Sequence, residues 1–160
     1  QYRNHGMKNR DEIDFWGVNA RIQPLQAVVA IIELKKIKKL LKKRNLNANF
    51  LDKNLKEIPE VTIPVRSKEN YETHALYMGL FERRDELKKY LIKKGIEVKI
   101  HYPKPLHLQK AAKKLKYKKG DFPVAEMQAK KLLTLPVHQF LSKKQLMSIV
   151  QNIKEFYKIR

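Results

Sequence analysis

An apolar repeat that starts at Pro24 constrains the fold of this chain more than any other feature of its sequence. Its apolar residues recur in steps of three and four: Leu25, Val28, Val29, Ile32, Ile37, Leu40 and Leu41. That spacing is typical of one face of an α-helix, and a proline fits the first turn, where its missing N–H is not needed. We predict one long helix over residues 24–57, which continues past Arg44 towards Leu55.

The two halves of this helix require different surroundings. Residues 25–32 are apolar nearly all round, which is typical of a buried helix. From Lys35 the sequence becomes amphipathic, with lysines on one side, as in a helix that is half exposed to water. We expect the first half to pack against structure outside this chain, and to form an exposed, aggregation-prone patch without it.

The other segments predict a loop region over residues 1–23 and a small α/β domain over residues 58–160. Alternating or β-rich segments predict four strands: 61–65, 74–81, 96–102 and 132–135. Helical patterns predict four further helices: 83–94, 108–115, 122–131 and a last one that Ser142 caps. Pro64 confines the first strand to a sheet edge, because proline cannot donate a ladder hydrogen bond.

Composition excludes several classes of protein. The chain has 160 residues, 42% of them apolar, which is enough for a core and argues against disorder. It has no cysteine, which excludes a disulfide scaffold, a Cys-ligated metal site and thiol catalysis. The five histidines form no helical pair with a glutamate between them, so we predict no metal site.

Nothing in the sequence predicts a membrane segment. The longest uncharged stretches, such as residues 22–32, have 11 residues, whereas a helix needs roughly 20 to cross a bilayer. The polar start resembles no secretory signal, so we expect a soluble, cytoplasmic protein. Because the chain begins with Gln rather than Met, we also expect further sequence upstream.

Two lysine-rich tracts hold much of the formal charge of +20. Lys35 to Arg44 carries seven basic residues and Lys110 to Lys119 carries six, both without an acidic residue. A nucleic-acid-binding module built on these tracts is therefore an alternative function. The chain has 28 Lys but only 8 Arg, and Tyr117 is the one aromatic residue in the tracts, which disfavours base recognition and stacking. We prefer a solvated helix face and expect no nucleic-acid partner.

No complete catalytic constellation is present, since the glycines occur singly and no serine lies in a nucleophile elbow. Two clusters nevertheless stand out. Gly17, Asn19 and Arg21 precede the long helix, where an amide and a guanidinium suit an anion or phosphate, or else a polar loop that caps the helix. His101 and Tyr102 lie at a predicted strand end before a loop with two prolines, which is typical of ligand contacts and equally of structural pairs.

These clusters, in this order, resemble the C-terminal portion of the DegT–DnrJ–StrS family of pyridoxal-phosphate-dependent nucleotide-sugar aminotransferases. The resemblance covers nearly the whole chain. Its motifs are Arg3-Asn4-His5-Gly6, Gly17-Val18-Asn19-Ala20-Arg21, Leu25-Gln26-Ala27, Arg84-Asp85-Glu86-Leu87, Gly95-Ile96, residues 101–107, residues 120–126 and Leu133-Thr134-Leu135-Pro136. Each motif is weak alone, and their common order makes the resemblance specific.

The resemblance implies an α/β fold: the long connecting helix and small C-terminal domain of a type I pyridoxal-phosphate-dependent transferase, with a mainly antiparallel sheet packed with helices. It implies transfer of an amino group from glutamate to a keto group on a nucleotide-linked sugar, for cell-surface polysaccharide or other glycans. It also implies a homodimer in which Asn19 reaches the cofactor phosphate of the partner subunit, with Arg21 beside it. His101 and Tyr102 match a pair that contacts the nucleotide-sugar.

The front of the family pattern is missing from this chain. The Schiff-base lysine, the acid that pairs with the pyridine nitrogen and most phosphate ligands precede the Arg3 motif in the family. We therefore expect the N-terminal cofactor-binding large domain to lie outside this chain, assign no catalytic residue here, and expect the isolated chain to be inactive. A non-catalytic regulatory or sensor relative on the same scaffold is a further alternative.

Overall fold

A computed structural model describes residues 1–67 and 69–158 of the chain. These residues belong to two compact units, Gln1–Lys39 and a second unit that begins at Leu40. The first helix, α1, spans Pro24–Leu55 and so contributes residues to both units. It starts at the predicted proline and continues past Arg44, as the apolar repeat predicts.

The second unit is built on a small sheet. After α1 the elements are β1 (Val61–Thr62), β2 (Tyr77–Phe81), α2 (Arg84–Lys93), α3 (Pro123–Lys131), β3 (Leu132–Leu135) and α4 (Lys143–Tyr157). Two short 3₁₀ helices, Leu106–Leu108 and Lys110–Leu115, lie between α2 and α3. The strands are antiparallel in the order β1-β2-β3, with Val61 opposite Phe81 and Tyr77 opposite Leu135. The predicted α/β fold with a small antiparallel sheet is confirmed.

The strand predicted over residues 96–102 is wrong. Its alternation in burial is present, since Val98 is buried while Glu97 and Lys99 are exposed. The segment meets the sheet at a single bridge, where Lys99 and Thr134 exchange backbone hydrogen bonds of 3.2 and 2.8 Å. No residue of this segment other than Lys99 pairs with β3 (Leu132–Leu135). Packing against the core, not strand pairing, produces the alternation.

Two other strands are shorter than predicted. The segment 61–65 pairs with β2 only at Val61 and Thr62. Pro64 follows shortly after and cannot donate a ladder hydrogen bond. The segment 74–81 pairs only from Tyr77, which lies opposite Leu135, the last residue of β3. His74, with a φ of +46°, is not extended.

The core of the second unit lies between the sheet and the helices. Its fully buried apolar side chains come from α1, β2, α2, β3 and α4 and include Leu51, Leu55, Tyr77, Phe81, Leu87, Leu91, Leu133 and Ile153; Ile58, just after α1, is buried with them. Helix α4 begins with a capping box, in which the Ser142 hydroxyl accepts from the Gln145 N–H at 3.2 Å. The Gln145 side-chain oxygen accepts from the Ser142 N–H at 2.9 Å, so two N–H groups at the helix start are satisfied.

The first half of α1 exposes its apolar residues. Leu25 is 77% exposed, Val29 57% and Ile32 47%. The exposed apolar patch expected from the sequence is therefore present. Within residues 1–67 and 69–158, none of the helices combines the length and hydropathy that a membrane span requires.

Candidate functional site

The loop before α1 folds back on itself through backbone hydrogen bonds. The His5 N–H donates to the Val18 carbonyl at 3.1 Å, and the Ala20 N–H donates to the Arg3 carbonyl at 2.9 Å. These bonds fix the segment that carries Asn19, whose side chain remains exposed.

Two glycines allow this fold-back. A Cβ atom on Gly17 would lie 2.4 Å from the Gly6 nitrogen, and one on Gly6 would lie 1.7 Å from the Phe15 carbonyl oxygen. Gly6 also has a φ of +72°, a conformation that glycine adopts at little cost. The glycines of both quoted motifs are thus needed for one close backbone contact.

The first unit presents an excess of hydrogen-bond donors beside this loop. Arg3 and Arg21 line a cavity of about 320 Å³, and the Arg21 guanidinium donates to the side-chain oxygen of Asn4. Guanidinium groups carry only donors, so the two arginines suit a phosphate group. Asn19 is exposed but does not line this cavity.

His101 lies in the second unit, in a cavity of about 520 Å³ whose lining is mostly apolar. We name it the histidine cavity. Its charged and polar lining includes Arg44, Lys94, Glu97, Lys99, His101, Thr134 and His138. The His101 Nδ1 atom lies 2.9 Å from the Thr134 hydroxyl oxygen, which is buried in β3. That contact fixes the ring, so Nε2 can engage a ligand in the cavity.

Tyr102 lines a different cavity, although its ring centroid lies only 5.6 Å from that of His101. We name this second space, of about 710 Å³, the aromatic cavity, and its lining includes Tyr102, Pro103, Pro105, His107, Tyr117 and Phe122. The Tyr102 side chain is 72% exposed. The two residues predicted as one ligand-binding pair therefore serve two adjoining spaces.

A nearly buried contact between a histidine and a glutamate supports the aromatic cavity. The His107 Nε2 atom lies 3.0 Å from a Glu126 oxygen, with side-chain exposures of 8% and 11%. The same carboxylate accepts the Gly120 N–H at 2.7 Å. These bonds, led by the one from Gly120, hold the pKa of Glu126 below its usual value. The carboxylate thus ties three segments of the cavity wall together.

Several lining residues were not predicted from the sequence. Thr134 lies in a quoted motif, but nothing there indicates a contact with His101, 33 residues earlier. Arg44 was counted in a basic tract, yet it is half-buried and donates to Gln139 at 3.1 Å. No group of His, Asp or Glu among the described residues could hold a metal ion.

The amino-acid sequence of the chain is similar to those of known proteins. The sequence profile of the DegT/DnrJ/EryC1/StrS aminotransferase family matches residues 1–154. The chain is 32% identical, over 95% of its length, to the erythromycin biosynthesis sensory transduction protein EryC1 of Saccharopolyspora erythraea. It is 30% identical, over 96% of its length, to the dTDP-3-amino-3,4,6-trideoxy-alpha-D-glucose transaminase of Streptomyces venezuelae.

The fold matches as well. The crystal structure of DesV from S. venezuelae in complex with a ketimine intermediate superposes with a TM-score of 0.90, at 28% identity, over 99% of this chain and 43% of DesV. The chain likewise spans 42% of EryC1 and 41% of the S. venezuelae transaminase, about two fifths of the length of these relatives. By its profile match and its fold, this chain belongs to the DegT/DnrJ/EryC1/StrS aminotransferase family.

Proposed function

We propose that the chain is the C-terminal part of a pyridoxal-phosphate-dependent aminotransferase that moves an amino group from glutamate to a keto group on a nucleotide-linked sugar. The observation that carries this proposal is the family match over residues 1–154, which includes both candidate clusters. The S. venezuelae relative is itself a transaminase of a dTDP-linked sugar. A product for cell-surface polysaccharide or another glycan fits this chemistry.

The loop of the first unit would contribute to cofactor binding. The Asn19 amide and the Arg21 guanidinium would donate to the phosphate of pyridoxal phosphate held by the partner subunit of a homodimer. When bound, the cofactor supplies the electron-accepting ring that transamination requires. The role of this chain is then to position that group, not to react with it.

The second unit would bind the nucleotide-sugar. His101, held by Thr134, presents a ring nitrogen to a cavity that also contains Arg44 and His138. Such groups suit diphosphate or sugar oxygens. Tyr102 would contact the same nucleotide-sugar from the adjoining aromatic cavity.

The test is transfer of labelled nitrogen by the full-length protein. With pyridoxal phosphate, ¹⁵N-glutamate and a panel of dTDP-linked keto-sugars, we expect ¹⁵N in an amino sugar. His101→Ala should raise KM for the sugar by about tenfold, the cost of one hydrogen bond to a charged group, while cofactor binding stays unchanged. Folded protein that binds cofactor but transfers no label to any sugar in the panel would contradict the proposal.

A sensor or regulatory role is the second candidate. It is favoured by the relation to EryC1 of S. erythraea, whose name describes a sensory transduction protein. The same labelling experiment separates the two, because a sensor would bind cofactor or nucleotide-sugar without transferring nitrogen.

A further inference from the structure

Residues 103–121 form a surface segment of the second unit, which we name the strap. The strap contains both 3₁₀ helices, and none of its residues is buried. By contrast, α2 and α4 each place several side chains in the core. Burial of apolar side chains therefore contributes little to holding the strap in place.

Most hydrogen bonds of the strap lie within it. Its backbone N–H groups donate to carbonyls of the strap itself, as those of Leu108, Gln109, Ala112, Lys116 and Asp121 do. The Gln109 amide and the Asp121 carboxylate likewise bond to the backbone of the strap. These bonds give the strap its shape, but they do not fix it to the sheet or to the helices.

In the part of the chain that the structure describes, two hydrogen bonds join the strap to its surroundings, and both end on one oxygen. The His107 Nε2 atom lies 3.0 Å from Oε1 of Glu126, and the Gly120 N–H donates to the same oxygen at 2.7 Å. Glu126 belongs to α3, which is held by the buried Arg84 through a bond of 3.2 Å to the Ala129 carbonyl. A single carboxylate thus attaches the strap to a helix that is packed on the core.

The strap also forms one wall of the aromatic cavity. His107 and Tyr117 line the cavity from the strap, whereas Ala129 and Leu132 line it from α3 and β3. The Phe122 ring centroid lies 4.8 Å from that of His107 and 5.0 Å from that of Tyr117. Because Phe122 is itself 42% exposed, water already reaches this contact. A movement of the strap away from α3 would therefore open the cavity.

We propose that the strap is a gate over the aromatic cavity and that Glu126 is its latch. The gate opens when His107 and Gly120 leave the Glu126 carboxylate together. Gly120 has a φ of +100° and open space where a Cβ atom would lie, so the backbone can turn there without a collision. The inference does not depend on the proposed function, because a gate controls access to the cavity whatever ligand enters.

The first measurement is hydrogen–deuterium exchange of the full-length protein, read by mass spectrometry. Amides of the strap should exchange together and before those of α2 and α4, since a segment without buried residues opens before the core. Glu126→Ala should speed exchange of the strap by about a hundredfold, the effect of losing two hydrogen bonds to a charged group, and leave α2 and α4 unchanged. Glu86→Ala is the control, because it removes a carboxylate that is 60% exposed on α2, and it should not change exchange of the strap.

The second measurement is chemical access to the cavity. The chain has no cysteine, and Ala129 on the cavity wall is 7% exposed, so Ala129→Cys places a thiol behind the gate. Iodoacetamide should label position 129 slowly, and adding Glu126→Ala should raise the labelling rate by the same factor as the exchange of the strap. Peptide mapping distinguishes position 129 from thiols outside these 160 residues.

Unchanged exchange of the strap in folded Glu126→Ala protein would overturn the inference. Faster exchange without faster labelling at position 129 would also overturn it, because the strap would then open without uncovering the cavity. If Glu126→Ala fails to fold, His107→Ala removes one of the two bonds and should speed exchange and labelling by about tenfold. Neither readout uses cofactor or sugar, so failure of the gate leaves the amino-transfer proposal intact.

Discussion

Asp52 joins three segments of the second unit through its carboxylate. It accepts two hydrogen bonds from Arg66, at 3.1 and 3.2 Å, and one from the Tyr77 hydroxyl at 2.7 Å. Burial, followed by the bond to Asp52, raises the pKa of Tyr77. Arg66 also reaches Glu72 at 2.9 Å, so the loop before β2 is fixed to α1 by a charged network.

We predict that Asp52→Asn lowers the free energy of unfolding by about 2 kcal/mol, because the half-buried Arg66 charge loses its bidentate partner. Urea denaturation followed by circular dichroism measures the change. Glu97→Gln is the matched control: its pair with Lys99 is 78% and 66% exposed, so its loss should have little effect on the free energy of unfolding. Equal effects of the two substitutions would contradict this assignment.

Glu126 makes stability depend on pH. The pKa of Glu126 is held below its usual value, mainly by the hydrogen bond from the Gly120 N–H. The Glu126 carboxylate therefore takes up a proton less readily in the folded chain than in the unfolded chain. The stabilisation of the fold by ionised Glu126 is complete above the pKa that Glu126 has in the unfolded chain. It is lost as the pH falls through the pKa that Glu126 has in the folded chain. We predict that Glu126→Gln flattens the decline in unfolding free energy below about pH 4.5, measured by urea titrations at several pH values. An unchanged acid limb would exclude this role.

His101 and Tyr102 show which features of the site the sequence alone can predict. His101 and Tyr102 could be selected because a histidine and a tyrosine precede two prolines. The sequence could not show that these two residues line separate cavities, since the cavities also need Thr134 and Phe122, which lie far along the chain. A pattern of neighbouring residues carries no information on which distant side chain fixes a ring.

At the scale of elements, local signals located the helices well. Pro24, Gly95 and Ser142 mark helix ends because their backbone or side-chain chemistry acts within one turn. Gly95 indeed follows α2 with a φ of +77°. Strands were predicted less well, because pairing needs a partner edge that local sequence does not describe.

We predict that Ser142→Ala destabilises the chain by about 1 kcal/mol, since it removes the hydroxyl of the α4 capping box. Thermal denaturation measures the loss. Ser148→Ala, on an exposed position inside α4, should be neutral or slightly stabilising because alanine is the better helix former. Equal melting temperatures for the two variants would show that the Ser142 hydroxyl does not stabilise α4.

The exposed half of α1 leads to a prediction for self-association. We expect Val29→Glu with Ile32→Glu to reduce association of the 160-residue chain, because both side chains lie in the apolar patch. Sedimentation velocity measures the mass distribution. The control is Met147→Glu on α4, a single exposed apolar residue that should have little effect. A monomeric parent chain would refute the expectation.

At the scale of the whole molecule, the chain contains proposed binding residues but no assigned catalytic residue. We predict that the 160-residue chain alone neither transfers ¹⁵N from glutamate nor retains pyridoxal phosphate through gel filtration. The reason is that none of its lysines lies in a context that resembles the Schiff-base site of the family. Adding the large domain should restore both properties. Retention of cofactor and transfer by the isolated chain would refute the proposal.

The lysines of the two basic tracts line neither of the two cavities. Lys35, Lys39 and Lys43 are exposed on α1, as expected of a solvated helix face. In the proposed enzyme they create a positive field that favours approach of an anionic nucleotide-sugar, an effect that salt would screen.

The sequence by itself determined the long helix, the helix ends, the α/β class and the motif order that points to the family. These depend on periodicity and on residue chemistry within a few positions, which the chain carries locally. Only the tertiary structure decided that residues 96–102 bridge the sheet once, that Arg44 is half-buried, and that His101 and Tyr102 open onto separate cavities. Those outcomes depend on side chains brought together from distant parts of the chain, and packing is what brings them together.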